Sequence, residues 1–313
     1  MAETFYNYRP VGSLGNLARM LGLTFPQLRR LADRANRLYR PGPSFEKSDG
    51  STRQTWNAMP QLKAAQGRIK NLILSRVEYP TYLQGGLRKR DYKRNAHLHR
   101  RSRIVINEDI EKFFPSISAD AIFDVWRNFF HFPQSVAQCL TKLTTKDGRV
   151  PEGARTSTHL ANLVLWRLEN RLVKRFQQRG VRYSRLVDDI TASAKHVVTK
   201  EDKTKIIGSI IGMLSRHGLK PKRSKHSIAT RGQAMRVNRL VVNQRPTLSK
   251  KDRARIRAAV HEFEQLAKSD VNQHEMISAY RRISGRVGTL KRFHPAQADK
   301  LKARLDRISD RHV

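Results

Sequence analysis

"RLVDDITAS" (residues 185–193) sets two adjacent aspartates, Asp188 and Asp189, among aliphatic and β-branched residues. The wider run "VRYSRLVDDITASA" (181–194) predicts a strand hairpin that turns near the pair. Two neighbouring carboxylates on one hairpin repel each other, and burying them unpaired is costly. An isolated Asp-Asp pair is ordinary turn chemistry, so its meaning depends on the rest of the chain. A second candidate strand, "RIVINEDI" (103–110), carries a third acid, Asp109, in an equally apolar setting. Divalent cations would remove both objections. Mg²⁺ takes oxygen ligands and is commonly held by one or two carboxylates plus substrate phosphates. Two such ions about 4 Å apart can serve an attacking hydroxyl and a leaving pyrophosphate. Adjacent strand side chains face opposite ways. Asp109 and Asp188 are therefore expected as principal ligands and Asp189 as a supporting one, unless the turn rotates the pair.

The chain around these acids is cationic: 63 Lys and Arg against 26 Asp and Glu give a formal charge of +37 over 313 residues. Such a charge repels itself unless a polyanion compensates it, and a phosphate backbone is the usual one. No apolar run approaches the roughly 20 residues that span a bilayer. The opening "MAETFYNYRP" lacks an export pattern, so a cytoplasmic protein with no membrane partner is expected. Cys139 is the single cysteine, which excludes an intramolecular disulfide or a multi-cysteine zinc site.

Residues 13–40 and 61–76 carry helical patterns, separated by a turn-rich break with a hairpin signal at Asp49-Gly50. "RKRDYKRNAHLHRRSR" (88–103) holds eight Lys and Arg in 16 residues, with His97 and His99 among them. It predicts either a solvated loop or a nucleic-acid groove. Helices are expected over 119–130, 156–178 and 201–217, and a strand over 235–243. Beyond residue 244 a basic helical unit carries 17 Lys and Arg against 8 acids. The order predicts an α+β fold, with strands grouped and helices packed on one face.

Six segments, in this order, resemble bacterial reverse transcriptases, close to the retron and related phage-defence branches. "NAHLH" (95–99) is similar to the retron-associated Asn-Ala-x-x-His signature. "INEDIEKFFPSIS" (106–118) resembles the first metal-binding motif, and "VPEGARTSTHLANLVL" (150–165) the Gln-Gly-Ala-x-Thr-Ser-Pro segment. "YSRLVDDITAS" (183–193) resembles the Tyr-Ala-Asp-Asp hairpin, "HGLKPKRSKHS" (217–227) the Gly-Leu-x-x-Asn-x-x-Lys element, and "VNRLVVN" (237–243) the primer-grip strand. The resemblance implies a right-hand polymerase with fingers, a palm built on an antiparallel sheet covered by helices, and a helical thumb. It places N-terminal helices and fingers at 1–108, the palm at 109–243 with a fingers segment at about 119–160, and the thumb at 244–313.

The implied activity is copying of RNA into DNA with two Mg²⁺ ions on Asp109, Asp188 and Asp189. Lys225 would protonate the leaving pyrophosphate, and Arg53 would clamp the triphosphate of the incoming dNTP. Phe114 would exclude a ribose 2′-hydroxyl, although spacing alone makes it equally a core neighbour of Phe113. Gly153, Ala154, Thr156 and Ser157 would line the nucleotide pocket. Arg88, Lys89, Arg90, Lys93, Arg94, Asn95, His99, Arg239, Lys250, Lys251, Arg253, Arg257, Lys291 and Arg292 would contact nucleic acid. In retrons the thumb reads a stem-loop of a dedicated non-coding RNA, which is the expected template here alongside its DNA product. With the chain ending after the thumb, a companion effector protein is expected to supply further activities in phage defence. Departures stand at Leu186 and Val187 (usually Tyr and Ala), Glu152 (Gln), Thr158 (Pro) and "VNR" at 237–239 (Val-Thr-Gly). They keep open a non-retron defence- or intron-type enzyme with other RNA or priming. A non-catalytic RNA-binding protein that kept the fold is the third reading.

Overall fold

The computed structural model describes residues 3–46, 50, 52–269 and 272–312. The pattern over 13–40 forms two helices, Leu14–Met20 and Phe25–Arg34. Thr24 breaks it. Its hydroxyl accepts from the Gln27 amide while its own N–H donates to the Gln27 side chain, a reciprocal cap that starts the second helix. Strands β1 (Tyr39–Glu46) and β2 (Thr52–Ala58) then pair antiparallel. The hairpin signal at Asp49 lies outside the described residues. The Pro60–Leu72 helix follows.

The central sheet is antiparallel, in the order β4–β5–β3–β6, from β3 (Ile104–Asp109), β4 (Val181–Leu186), β5 (Asp189–Ala194) and β6 (Ser227–Thr230). Alternation gives its two faces different chemistry. Ile104 and Ile106 of β3, with Ile190, Ala192 and Ala194 of β5, enter the main core beneath helices. On the other face Val105 pairs with Ser193, Asn107 with Thr191, and Asp109 with Asp189. The acids thus end a polar stripe on the face turned away from the main core.

Two predicted elements differ in form. The 156–178 helix is two helices, Ser157–Leu163 and Glu169–Gln178, interrupted by turns. The strand expected over 235–243 is a tight hairpin, β7 (Arg236–Val237) and β8 (Leu240–Val241), because Asn238 and Arg239 both take positive φ. Two consecutive left-handed residues reverse the chain at once. This hairpin sits in a second hydrophobic cluster with Val260, Phe263, Ile283, Leu290 and Leu305 of the C-terminal helices Lys250–Leu266, Gln273–Lys291 and Pro295–His312. Among the described residues no helix is long and apolar enough to cross a membrane.

Candidate active site

The β4–β5 turn consists of Val187 and Asp188, and Val187 has φ 61°. A β-branched residue in the left-handed region is strained by about 1–3 kcal/mol and persists only where its surroundings impose it. Here they do. The Arg185 guanidinium donates to the Val187 carbonyl at 3.0 Å, to the carbonyls of Ala161 and Asn162, and to both carboxylate oxygens of Glu169 at 2.6 and 2.8 Å. Arg185 and Glu169 are both fully buried, and Tyr183 adds a hydrogen bond to the same carboxylate. Burial alone would lower the Arg185 pKa; the Glu169 charge outweighs it and raises it. Gly85 lies against the turn, where a Cβ would meet Val187 at 2.4 Å. No sequence motif announced this brace. The available signal was an arginine in an apolar strand and a glutamate on an apolar helix face.

Turning at Val187 releases Asp188 from strand alternation. Asp188 and Asp109 line one cleft, while Asp189 faces Asp109 across the β3–β5 pair. Burial, then the Asp109 charge, raises the Asp188 pKa; burial, then Asp188 and Asp109, pushes Asp189 up to about 7. The Lys225 ammonium bonds Asp109 Oδ2 at 2.5 Å. Burial would lower its pKa, but the bond and the three acidic charges raise it instead. Crowded hard oxygens that resist ionising together form a donor set suited to a divalent cation. Among the described residues no three acidic, imidazole or thiol groups already converge at ligating distance. Lys225 holds the Asp109 oxygen that an ion would take.

A pH test follows. The fold raises the Asp189 pKa above the unfolded value near 4, so its protonated form stabilises the metal-free protein. That contribution is complete below pH 4 and is lost as pH rises through about 7. A cation must displace this proton, so its binding strengthens over the same interval. Mg²⁺ should therefore raise the melting temperature more at pH 8 than at pH 6. Equal shifts at both would mean that Asp189 carries no proton for the ion to displace.

The cleft is about 1220 Å³ and is walled by Phe45, Arg53 and Thr55 on one side, and by Asp109, Phe114, Glu152, Gly153, Thr158, Asp188, Lys222, Lys225 and Arg239 elsewhere. Phe114 is half-buried there beside the buried ring of Phe113. Arg53 forms an ion pair with Glu152, and Trp56 N–H donates to the Glu152 carbonyl at 2.7 Å. Gly153 has φ 97°, and a Cβ there would meet the Trp56 carbonyl at 3.0 Å. The hairpin β1–β2 therefore closes onto this segment.

Part of the expected nucleotide pocket is used otherwise. Thr156 and Ser157 are buried, and the Ser157 hydroxyl donates to the Pro151 carbonyl at 2.6 Å. Ala154 packs on the core. Thr158, read only as a departure, lines the cleft in their stead.

The nucleic-acid set also needs correction. Residues 88–103 contain a helix, Tyr92–Leu98, instead of an open loop. Asn95 and His99 are fully buried. His99 bridges Ser193 and Ser184 at 2.8 and 2.7 Å, with burial and then the Arg182 charge lowering its pKa to about 3, so it stays neutral. Arg90 is taken up by the carbonyls of Tyr79, Pro80 and Leu83. Lys93, Arg94, Lys291 and Arg292 are exposed and stay in the set, with Lys93 on the Arg292 carbonyl, Arg94 on the Lys89 carbonyl, Arg292 paired with Asp91 and Lys291 with Asp299. Arg253, expected at nucleic acid, is half-buried. Arg88, Lys89, Arg239, Lys250, Lys251 and Arg257 are exposed.

With this geometry, similarity to known proteins becomes decisive. The model of the reverse transcriptase (RNA-dependent DNA polymerase) family matches residues 45–269. The chain belongs to the reverse transcriptase family. The Retron Se72 reverse transcriptase of Salmonella heidelberg (strain 579083-10) is 33% identical over 312 residues, 98% of this chain and 82% of that one. The Retron Ec48 reverse transcriptase of Escherichia coli is 30% identical over 96% of this chain and 76% of its own. The Retron Mx65 enzyme of Myxococcus xanthus is 28% identical over 82% and 62%. This reverse transcriptase is thus an RNA-directed DNA polymerase of the retron type, with the right-hand α+β fold that the motifs implied.

Proposed function

We propose that this reverse transcriptase copies a dedicated non-coding RNA into DNA by two-cation phosphoryl transfer in the cytoplasm. Asp109 and Asp188 would be the principal ligands and Asp189 the supporting one. The observation carrying this reading is that Asp109 and Asp188 share one cleft with Arg53, Phe114 and Gly153, while Asp189 opposes Asp109. When bound, two Mg²⁺ ions would activate the primer hydroxyl and neutralise the departing pyrophosphate. The protein's own groups do the rest. Arg53 exchanges Glu152 for the triphosphate of the dNTP. Lys225 exchanges Asp109 for a pyrophosphate oxygen and delivers its proton there. Gly153, Thr158 and the ring of Phe114 hold the sugar, and the ring blocks a 2′-hydroxyl. Exposed Arg88, Lys89, Arg239, Lys250, Lys251 and Arg257 attract phosphates without reading sequence.

In this assignment residues 1–108 supply N-terminal helices and fingers, 109–243 the palm, and 244–313 the thumb. The thumb would grip a stem-loop of the template RNA through shape and 2′-hydroxyls. A companion effector would act on the product in phage defence, a role supported only by the family resemblance.

Primer extension on an RNA template, with sequencing of the nucleic acid that co-purifies, tests the reading. A branched RNA–DNA product is expected; an unbranched product copied from unrelated RNA would contradict the dedicated-RNA part of this reading. Phe114→Ala should raise ribonucleotide use relative to deoxynucleotide use by roughly 10-fold or more. Unchanged discrimination in single-nucleotide incorporation would return Phe114 to a packing role.

A further inference from the structure

Asn238 stands at φ 46° in the two-residue turn between β7 and β8, where glycine is the default residue. Asn is among the few other side chains that tolerate this region, and here its amide is used at both ends. Its Nδ2 donates to Asp189 Oδ2 at 3.1 Å, and its Oδ1 accepts from Asn95 Nδ2. Asn95 is fully buried in the Tyr92–Leu98 helix, whose cap Asp91 binds Arg292 of the C-terminal unit. Three segments distant in sequence therefore meet at one acid of the site.

We propose that Asn238 is a positioning residue for Asp189, and that Asn95 holds the Asn238 amide in place through its Oδ1. This rests on the proposed role of Asp189 as a cation ligand.

A carboxylate that ligates a cation only accepts hydrogen bonds, so in that state Asn238 must turn its NH₂ toward Asp189, as it does here. Its carbonyl then faces Asn95, which supplies the matching NH₂. Turning the Asn238 amide over would oppose two NH₂ groups at one end and two acceptors at the other. The polarity is set from the carboxylate end, and Asn95, whose own Oδ1 is buried without a partner, matches it. This arrangement offsets part of the repulsion from Asp109 and Asp188 and restrains one Asp189 oxygen, Oδ2, in a fixed direction. Asn107 holds the hairpin against β3 through the Arg236 carbonyl at 3.0 Å, so the turn cannot drift from the acids.

Mn²⁺ binding to the purified full-length chain, read by the paramagnetic resonance of free Mn²⁺, tests the proposal. Wild type should bind Mn²⁺ tightly, and Asp109→Asn should bind it far more weakly. Asn238→Gly suits the backbone and deletes only the amide. It should bind roughly 10-fold more weakly, the usual cost of losing a group that orients a ligand. Primer extension by this variant should need correspondingly more Mg²⁺ yet recover most of its rate at saturation. A folding defect would not be rescued that way. Asn95→Leu keeps Asn238 but frees its amide, and should weaken Mn²⁺ several-fold, so it decides the matter if the glycine variant fails to fold. Affinity within twofold of wild type in either variant would overturn the proposal while leaving the aspartate assignment intact. Equal Mn²⁺ binding by wild type and Asp109→Asn would overturn both.

Discussion

Asp188→Asn should lower primer extension by about three orders of magnitude while leaving the metal-free protein at least as stable as wild type. The substitution keeps size and polarity and removes one charge. A thousandfold loss corresponds to about 4 kcal/mol of transition-state stabilisation, within what cation ligation and charge neutralisation supply. The stability half follows from the raised pKa of Asp188, driven by burial and then by Asp109. A group held in a setting that opposes its charge destabilises the fold at neutral pH. Removing the charge relieves that cost and also eases Asp189, whose pKa is pushed to about 7 partly by Asp188. Opposite movements of activity and melting temperature mark a site kept at the expense of stability. Undiminished extension by the variant would remove Asp188 from the chemistry.

Arg185→Met should destabilise the protein by about 3–5 kcal/mol, because it leaves the buried Glu169 carboxylate with no opposite charge and only the Tyr183 hydroxyl as a partner. It also leaves the Val187 carbonyl without the donor that secures the strained turn. The double substitution Arg185→Met with Glu169→Leu should recover most of that loss, since replacing a whole buried pair by apolar groups is often neutral. Chemical denaturation of both variants separates the contributions. Full recovery of stability with depressed extension would show that the guanidinium matters for aiming the turn. If the single variant were as stable as wild type, the brace would have no energetic role.

Sequence legibility varied with how local the determinant is. Strand alternation and the β-branched run exposed β3, β4 and β5, and with them the three acids, because a hairpin and its turn are encoded within about a dozen residues. The helix broken at Thr24 was legible in kind but not in extent. Its break depends on one reciprocal cap inside a continuous apolar pattern. The tight reversal at Asn238-Arg239 was hidden because neither residue announces a positive φ as glycine does.

Long-range pairing was illegible. His99, Asn95 and Arg90 look like groove residues in a run of eight basic side chains, yet each satisfies partners brought near only by folding. Charge density marks a surface but not which of its members are spent inside. Thr156 and Ser157 likewise sit in a motif read as a pocket wall, and their burial became visible only when the following helix was packed.

The central claim is that Asp109, Asp188 and Asp189 bind divalent cations beside the nucleotide cleft. Anomalous diffraction from crystals grown with Mn²⁺, an RNA template, a terminated primer and a dNTP tests it most directly. Manganese peaks should lie within about 2.3 Å of oxygens of Asp109 and Asp188, with Lys225 released from Asp109 toward the triphosphate. Anomalous peaks only elsewhere, with nucleotide bound and Lys225 still on Asp109, would contradict it.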